Sequence, residues 1–116
     1  MNTILKKINK INGVRGSLIV NRDGMILVSD VTEGIEEGGI AALSSTIYAN
    51  LEGALSRLKL GAPRRFAITG ERGRILLFSI AGDLIMAVIT RKDVNMGLLK
   101  VDLKDAADEL AKKLGK

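Results

Sequence analysis

The segment VRGSLIVNRDGMILVSDV, residues 14–31, sets the strongest limit on what this chain can fold into. Two apolar runs, Leu18-Ile19-Val20 and Met25-Ile26-Leu27-Val28, flank Asn21-Arg22-Asp23-Gly24. An Asp-Gly pair between strand-like runs signals a hairpin, because Gly takes the positive φ that the tight turn requires. Neither run alternates with polar residues, so both faces of the sheet must be covered.

Further along, RRFAITGE, GRILLFSI and DLIMAVIT read as a three-stranded meander, joined by the Gly-bearing turns Glu71-Arg72-Gly73 and Ala81-Gly82-Asp83. Ile75-Leu76-Leu77-Phe78 and Leu84-Ile85-Met86-Ala87-Val88-Ile89 are again continuously apolar, as strands buried on both sides are. If the hairpin joins the meander through its own first strand and the meander's last, residues 65–71 are left at an edge. Phe66 and Ile68 point the same way there, and an unprotected edge invites pairing with another chain.

Three helical patterns surround these strands. Residues 2–11 place Ile4, Ile8 and Ile11 on one face and lysines on the other, and Asn12-Gly13 ends the pattern. After the flexible TEGIEEGG, with Glu36 and Glu37 placed to favour a helix dipole, a long helix closes at Gly61, and Pro63 prevents its continuation. The last segment aligns Leu99, Leu103, Ala106, Ala107, Leu110 and Leu114, with Asp108–Lys112 and Glu109–Lys113 as (i, i+4) pairs. The order helix, hairpin, long helix, meander, helix predicts a single α+β domain over residues 1–116, a five-stranded antiparallel sheet with helices on both faces.

The long helix carries an unusual surface. At about 100° per residue, Ile40, Leu43, Ile47, Leu51, Ala54, Leu55 and Leu58 form the expected core stripe. The opposite side holds Ala42, Ser45, Ala49, Gly53 and Ser56, with Glu52 its only charge, where a solvated helix would carry Lys and Glu. Small outward residues let a second helix approach closely, and an isologous dimer needs only one self-compatible surface. Ala42, Ser45, Ala49, Gly53, Ser56, Phe66 and Ile68 are therefore the candidate dimer interface.

Composition removes most chemistry. The 116 residues contain no Cys and no His, which excludes thiolate metal sites, disulfides and every nucleophilic triad built on histidine. Closely spaced glycines in GERGR and GIEEGG lack the Gly-Lys-Ser/Thr of a phosphate loop, so turns explain them. Asp30, Glu36 and Glu37 read as capping and loop residues rather than a divalent-ion cluster. Arg72 and Arg74 read as a solvated hairpin tip in preference to a trans-acting arginine finger. No cofactor and no metal is expected.

The net charge of +5 permits anionic partners, but the cations are scattered and aromatics make up only 3%, which disfavours nucleic acid. No apolar run approaches the roughly 20 residues of a membrane span. The interleaved start MNTILKKINKI is unlike a secretory signal, so a cytoplasmic protein without membrane insertion is expected. The absence of Gln is a hint of a heat-adapted source.

With those residues assembled, the chain resembles the roadblock family, the dimeric domains of dynein light chains, lysosomal GTPase scaffolds and prokaryotic regulators of small Ras-like GTPases. The likeness runs the full length. It is most specific in GVRGSLIVNRDGMILVSD, similar to the family's opening hairpin with its Asp23-Gly24 turn, and in NMGLLKVDLKDAADELAKKL, similar to its closing helix with Asn95 and Gly97 at the start. The resemblance implies a profilin-like arrangement, the long second helix on one sheet face and the N- and C-terminal helices on the other. It also implies a homodimer through the second helix and third strand, and a small Ras-like GTPase as partner, with Tyr48 and Glu52 at the surface that meets it. A light-chain-type structural adaptor with no nucleotide-dependent role is the alternative.

Overall fold

A computed structural model describes residues 2–80 and 82–113. Its elements follow in the order α1 (Asn2–Asn9), β1 (Val14–Asn21), β2 (Ile26–Val31), α2 (Glu37–Arg57), β3 (Arg65–Thr69), β4 (Gly73–Ser79), β5 (Leu84–Arg91) and α3 (Met96–Lys113). The strands form one five-stranded sheet in the order β2-β1-β5-β4-β3, and every pairing is antiparallel. The hairpin thus joins the meander through β1 and β5, which puts β3 at an edge as the sequence implied.

The turn residues act locally. Asn21 Oδ1 accepts from the backbone N–H of Asp23 at 2.9 Å and of Met25 at 3.0 Å, and Gly24 supplies a φ of +85°. Gly13, at the end of α1, has a φ of +100°, and a Cβ there would stand 2.5 Å from Val94 Cγ2. Only glycine satisfies both the backbone angle and the close approach.

Apolar side chains on the two sheet faces make two separate cores. One contains Ile4, Leu5 and Ile8 of α1, Leu99, Leu103 and Leu110 of α3, and Ile19, Leu76, Phe78, Met86 and Val88 beneath them. The other gathers Ala41 and Tyr48 of α2 over Leu18, Val20, Leu77, Ile85 and Ala87. Consecutive strand residues serve opposite layers, and this is why the runs do not alternate with polar residues.

Several sequence expectations shift. The last intrahelical residue of α2 is Arg57, and the left-handed residue that ends the helix is Lys59, with a φ of 59°, rather than Gly61. The lysine takes this angle because Lys59 N–H donates to the Ser56 carbonyl at 3.1 Å and Leu60 N–H to the Leu55 carbonyl at 2.9 Å, a two-bond cap that overrides its steric preference. The first connection of the meander is residues 70–72, because Gly73 already belongs to β4. Neither Asp108–Lys112 nor Glu109–Lys113 is an ion pair among the described residues; Glu109 Oε1 instead stands 3.8 Å from Lys7 Nζ of α1. Leu114 of the expected closing-helix stripe, and Ala81 of the second meander turn, lie outside the described residues.

Candidate interaction surface

Close helix-to-sheet contact requires small residues where the backbones approach. In α2 these are Ala41 and Ser44, each 1% exposed, followed by Tyr48 at 0%. Ser44 Oγ is satisfied by donating to the Ile40 carbonyl at 2.7 Å. The helix therefore sits rotated from its expected orientation. The stripe assigned to the core is a flank: Ile40, Ile47, Leu51, Ala54 and Leu55 are half-buried, whereas Leu43 and Leu58 are 42% and 66% exposed.

The opposite flank leans on the β1–β2 hairpin. A Cβ on Gly24 would lie 3.2 Å from Ser45 Oγ, which places the hairpin tip against α2. Further along, Glu52 forms an ion pair with Arg22, whose Nη2 also donates to the Gly82 carbonyl at 3.4 Å. At the helix start, Ser29 Oγ donates to Glu37 Oε2 at 2.8 Å. Of the small-residue set, Ser45 is half-buried, while Ala42, Ala49, Gly53 and Ser56 are exposed.

Phe66 and Ile68 stand elsewhere. They pair across β3–β4 with Leu77 and Ile75, so they share the α2 face of the sheet, and both are half-buried. α2 packs over β1, β2 and β5, which leaves the β3–β4 end of that face less covered. A shallow pocket of about 390 Å³ opens there, lined by Ile68, Ile75 and Ile89 with Arg15, Arg72 and Arg74. The candidate dimer interface is thus split by the body of α2. Phe66 and Ile68 adjoin the large apolar flank, and the small residues adjoin the hairpin.

Tyr48 is not at any surface. Its hydroxyl donates to the Arg64 carbonyl at 3.3 Å, and burial pushes its pKa up to about 12 against the opposing pull of the Arg22 guanidinium. The only tyrosine of the chain therefore serves the core, because a ring this large fills the gap left over the small residues of the helix. Glu52 is partly exposed, its side chain 39% accessible, but Arg22 engages it.

Arg22 was not identified from sequence. Its signal is position: it occupies the turn that α2 must pass, four residues of hairpin tip beside the one acidic residue of the small face. Arg72 is exposed in the β3–β4 turn, whereas Arg74 is half-buried with its Nη1 out of contact with water and unpartnered, a poor arrangement for a finger that must reach another protein. Among the described residues no three acidic side chains converge on a common point, and Glu37 is turned toward Ser29 rather than Asp30.

The arrangement has known counterparts. The family model described as Roadblock/LC7 domain matches residues 1–90, from α1 through nearly all of β5. Two uncharacterized proteins of Methanocaldococcus jannaschii, MJ0310 and MJ0714, are 30% and 31% identical over 107 residues, spanning 92% of this chain and 93% and 90% of theirs. Among solved structures, Myxococcus xanthus MglB superposes with a TM-score of 0.92 at 19% identity, covering 98% of this chain and 94% of its own. A Roadblock/LC7 domain from Streptomyces avermitilis gives 0.90 at 13% identity, with 100% and 98% covered. These likenesses extend the shared fold through α3, beyond the residues that the family model matches. The chain belongs to the Roadblock/LC7 domain family.

Proposed function

We propose that the protein is a cytoplasmic homodimer that regulates or scaffolds a small Ras-like GTPase, with residues 1–116 acting as one roadblock-like unit. The observation that carries the reading is the open edge of β3 beside the apolar flank of α2, in a chain of this family. An edge strand carrying Phe66 and Ile68, next to partly exposed Ile40, Leu43, Ile47 and Leu51, is an unprotected pairing site of the kind that a second copy closes. MglB has been solved in a tetrameric arrangement, which supports self-association as a property available to the fold. The small residues Ala42, Ala49, Gly53 and Ser56 stay outside this interface and, with Glu52, form the shoulder offered to a partner.

The lack of His and Cys removes most catalytic templates, which supports reading the effect as one of binding. A platform shifts a GTPase between its two nucleotide states only through unequal affinity for them, and that difference limits the size of the shift. The test is to titrate the dimer with a small Ras-like GTPase encoded in the same genome, loaded with GTP or GDP. Unequal affinities are expected. Equal affinities favour the structural adaptor, and absence of binding to every such GTPase contradicts the reading.

A further inference from the structure

We propose that residues 57–65 form a membrane-adsorbing loop that seats the protein on an anionic lipid surface. The sequence there is RLKLGAPRR: four cations, Arg57, Lys59, Arg64 and Arg65, with no Asp or Glu among them. Leu58 and Leu60 alternate with the first two and are 66% and 67% exposed. None of the four cations is in an ion pair among the described residues: Glu52, which shares a pocket with Lys59, is taken by Arg22, and Asp108, which lines a pocket with Arg64 and Arg65, pairs with neither.

The loop is held in shape rather than loose. The cap that ends α2 fixes Lys59, between the two exposed leucines, at a φ of 59°, and Pro63 is buried, so the chain is pinned at the leucines and again three residues beyond them. A residue with a Cβ at such an angle carries a steric cost that glycine would avoid. The position keeps a cation nonetheless.

Leucines alternating with cations suit one environment. At the boundary of headgroups and acyl chains, the apolar side chains enter the acyl side while the cations meet lipid phosphates. Nucleic acid would use the cations but gain nothing from exposed leucine, and the loop holds no aromatic ring on which a base could stack. Each basic residue near an anionic bilayer contributes about fivefold in affinity, so removing two lowers it about 30-fold. The inference does not rest on a GTPase partner.

The test is sedimentation of the full chain with vesicles of phosphatidylcholine, with and without phosphatidylserine, alongside solution mass for every variant. Binding is expected only with phosphatidylserine, and Arg64→Ser with Arg65→Ser should lower it about 30-fold. Leu60→Ser, beyond the apolar flank of α2, should lower it about tenfold while leaving the solution mass unchanged. Lys6→Ser with Lys10→Ser, an equal charge loss at exposed positions of α1 and its C-terminal end, should lower it only slightly.

Five results overturn the proposal. Four are no preference for phosphatidylserine, binding indifferent to Leu60, an equal loss in the α1 variant, and Leu60-dependent binding to polyglutamate, which assigns the loop to an acidic protein. The fifth is dissociation of the native assembly by Leu60→Ser, because Leu60 then belongs to self-association, and that outcome leaves the dimer reading intact.

Discussion

Tyr48 donates its hydroxyl to the backbone carbonyl of Arg64 at 3.3 Å, tying the middle of α2 to the residue just before β3. Burial raises the phenol pKa to about 12, while Arg22 and a backbone hydrogen bond at Ser79 oppose the shift. Because the folded value lies above the unfolded one, the contribution is complete below pH 10 and is lost as pH rises through 10 to about 12. Relative to Tyr48→Phe, the native chain should lose roughly 2–3 kcal/mol of stability across that window. Denaturant unfolding of both proteins checks this. With one Tyr and no Trp, tyrosinate absorbance follows the same group directly, and a midpoint near 10 in the folded protein would contradict the buried placement.

The ion pair between Arg22 and Glu52 fastens the hairpin tip to α2, with side chains 32% and 39% exposed. Such half-exposed pairs are screened by water and salt, so a double-mutant cycle with Arg22→Ala and Glu52→Ala should give a coupling of about 0.5–1 kcal/mol. The coupling should shrink at high salt. Zero coupling at low salt would mean that the contact does not hold the hairpin.

Lys59→Gly should stabilise the fold by about 1 kcal/mol, since glycine adopts the left-handed angle without steric cost. Thermal unfolding should shift upward by a few degrees. The same substitution removes one cation of the 57–65 loop and should weaken vesicle binding about fivefold. A variant no more stable than the native chain would show that the cap imposes no strain on Lys59.

The strand order was legible because its signals are local: Asp23-Gly24 dictates a turn, and continuously apolar runs dictate burial on both faces. The rotation of α2 was not. Periodicity offered two stripes, and hydrophobicity favours Ile40, Leu43, Ile47 and Leu51 over Ala41, Ser44 and Tyr48. The sheet beneath already presents Leu18, Val20, Leu77 and Ile85, so the helix can approach only with its small residues inward, a packing fact that no single-helix pattern contains. The same competition buried Tyr48. The αL cap was hidden for a related reason: Gly61, which also has a positive φ, lay close by and drew the assignment away from Lys59.

The central claim is self-association through the β3 edge and the apolar flank of α2, and light scattering tests it most directly. The 12.4 kDa chain should have twice its own mass in solution. Leu43→Lys and Ile68→Lys should each reduce it to the monomer by placing a charge in the apolar contact, while Ala49→Lys, on the other side of α2, should leave the dimer whole. A monomeric native chain, or a dimer that Ala49→Lys breaks and Leu43→Lys and Ile68→Lys do not, would contradict the account.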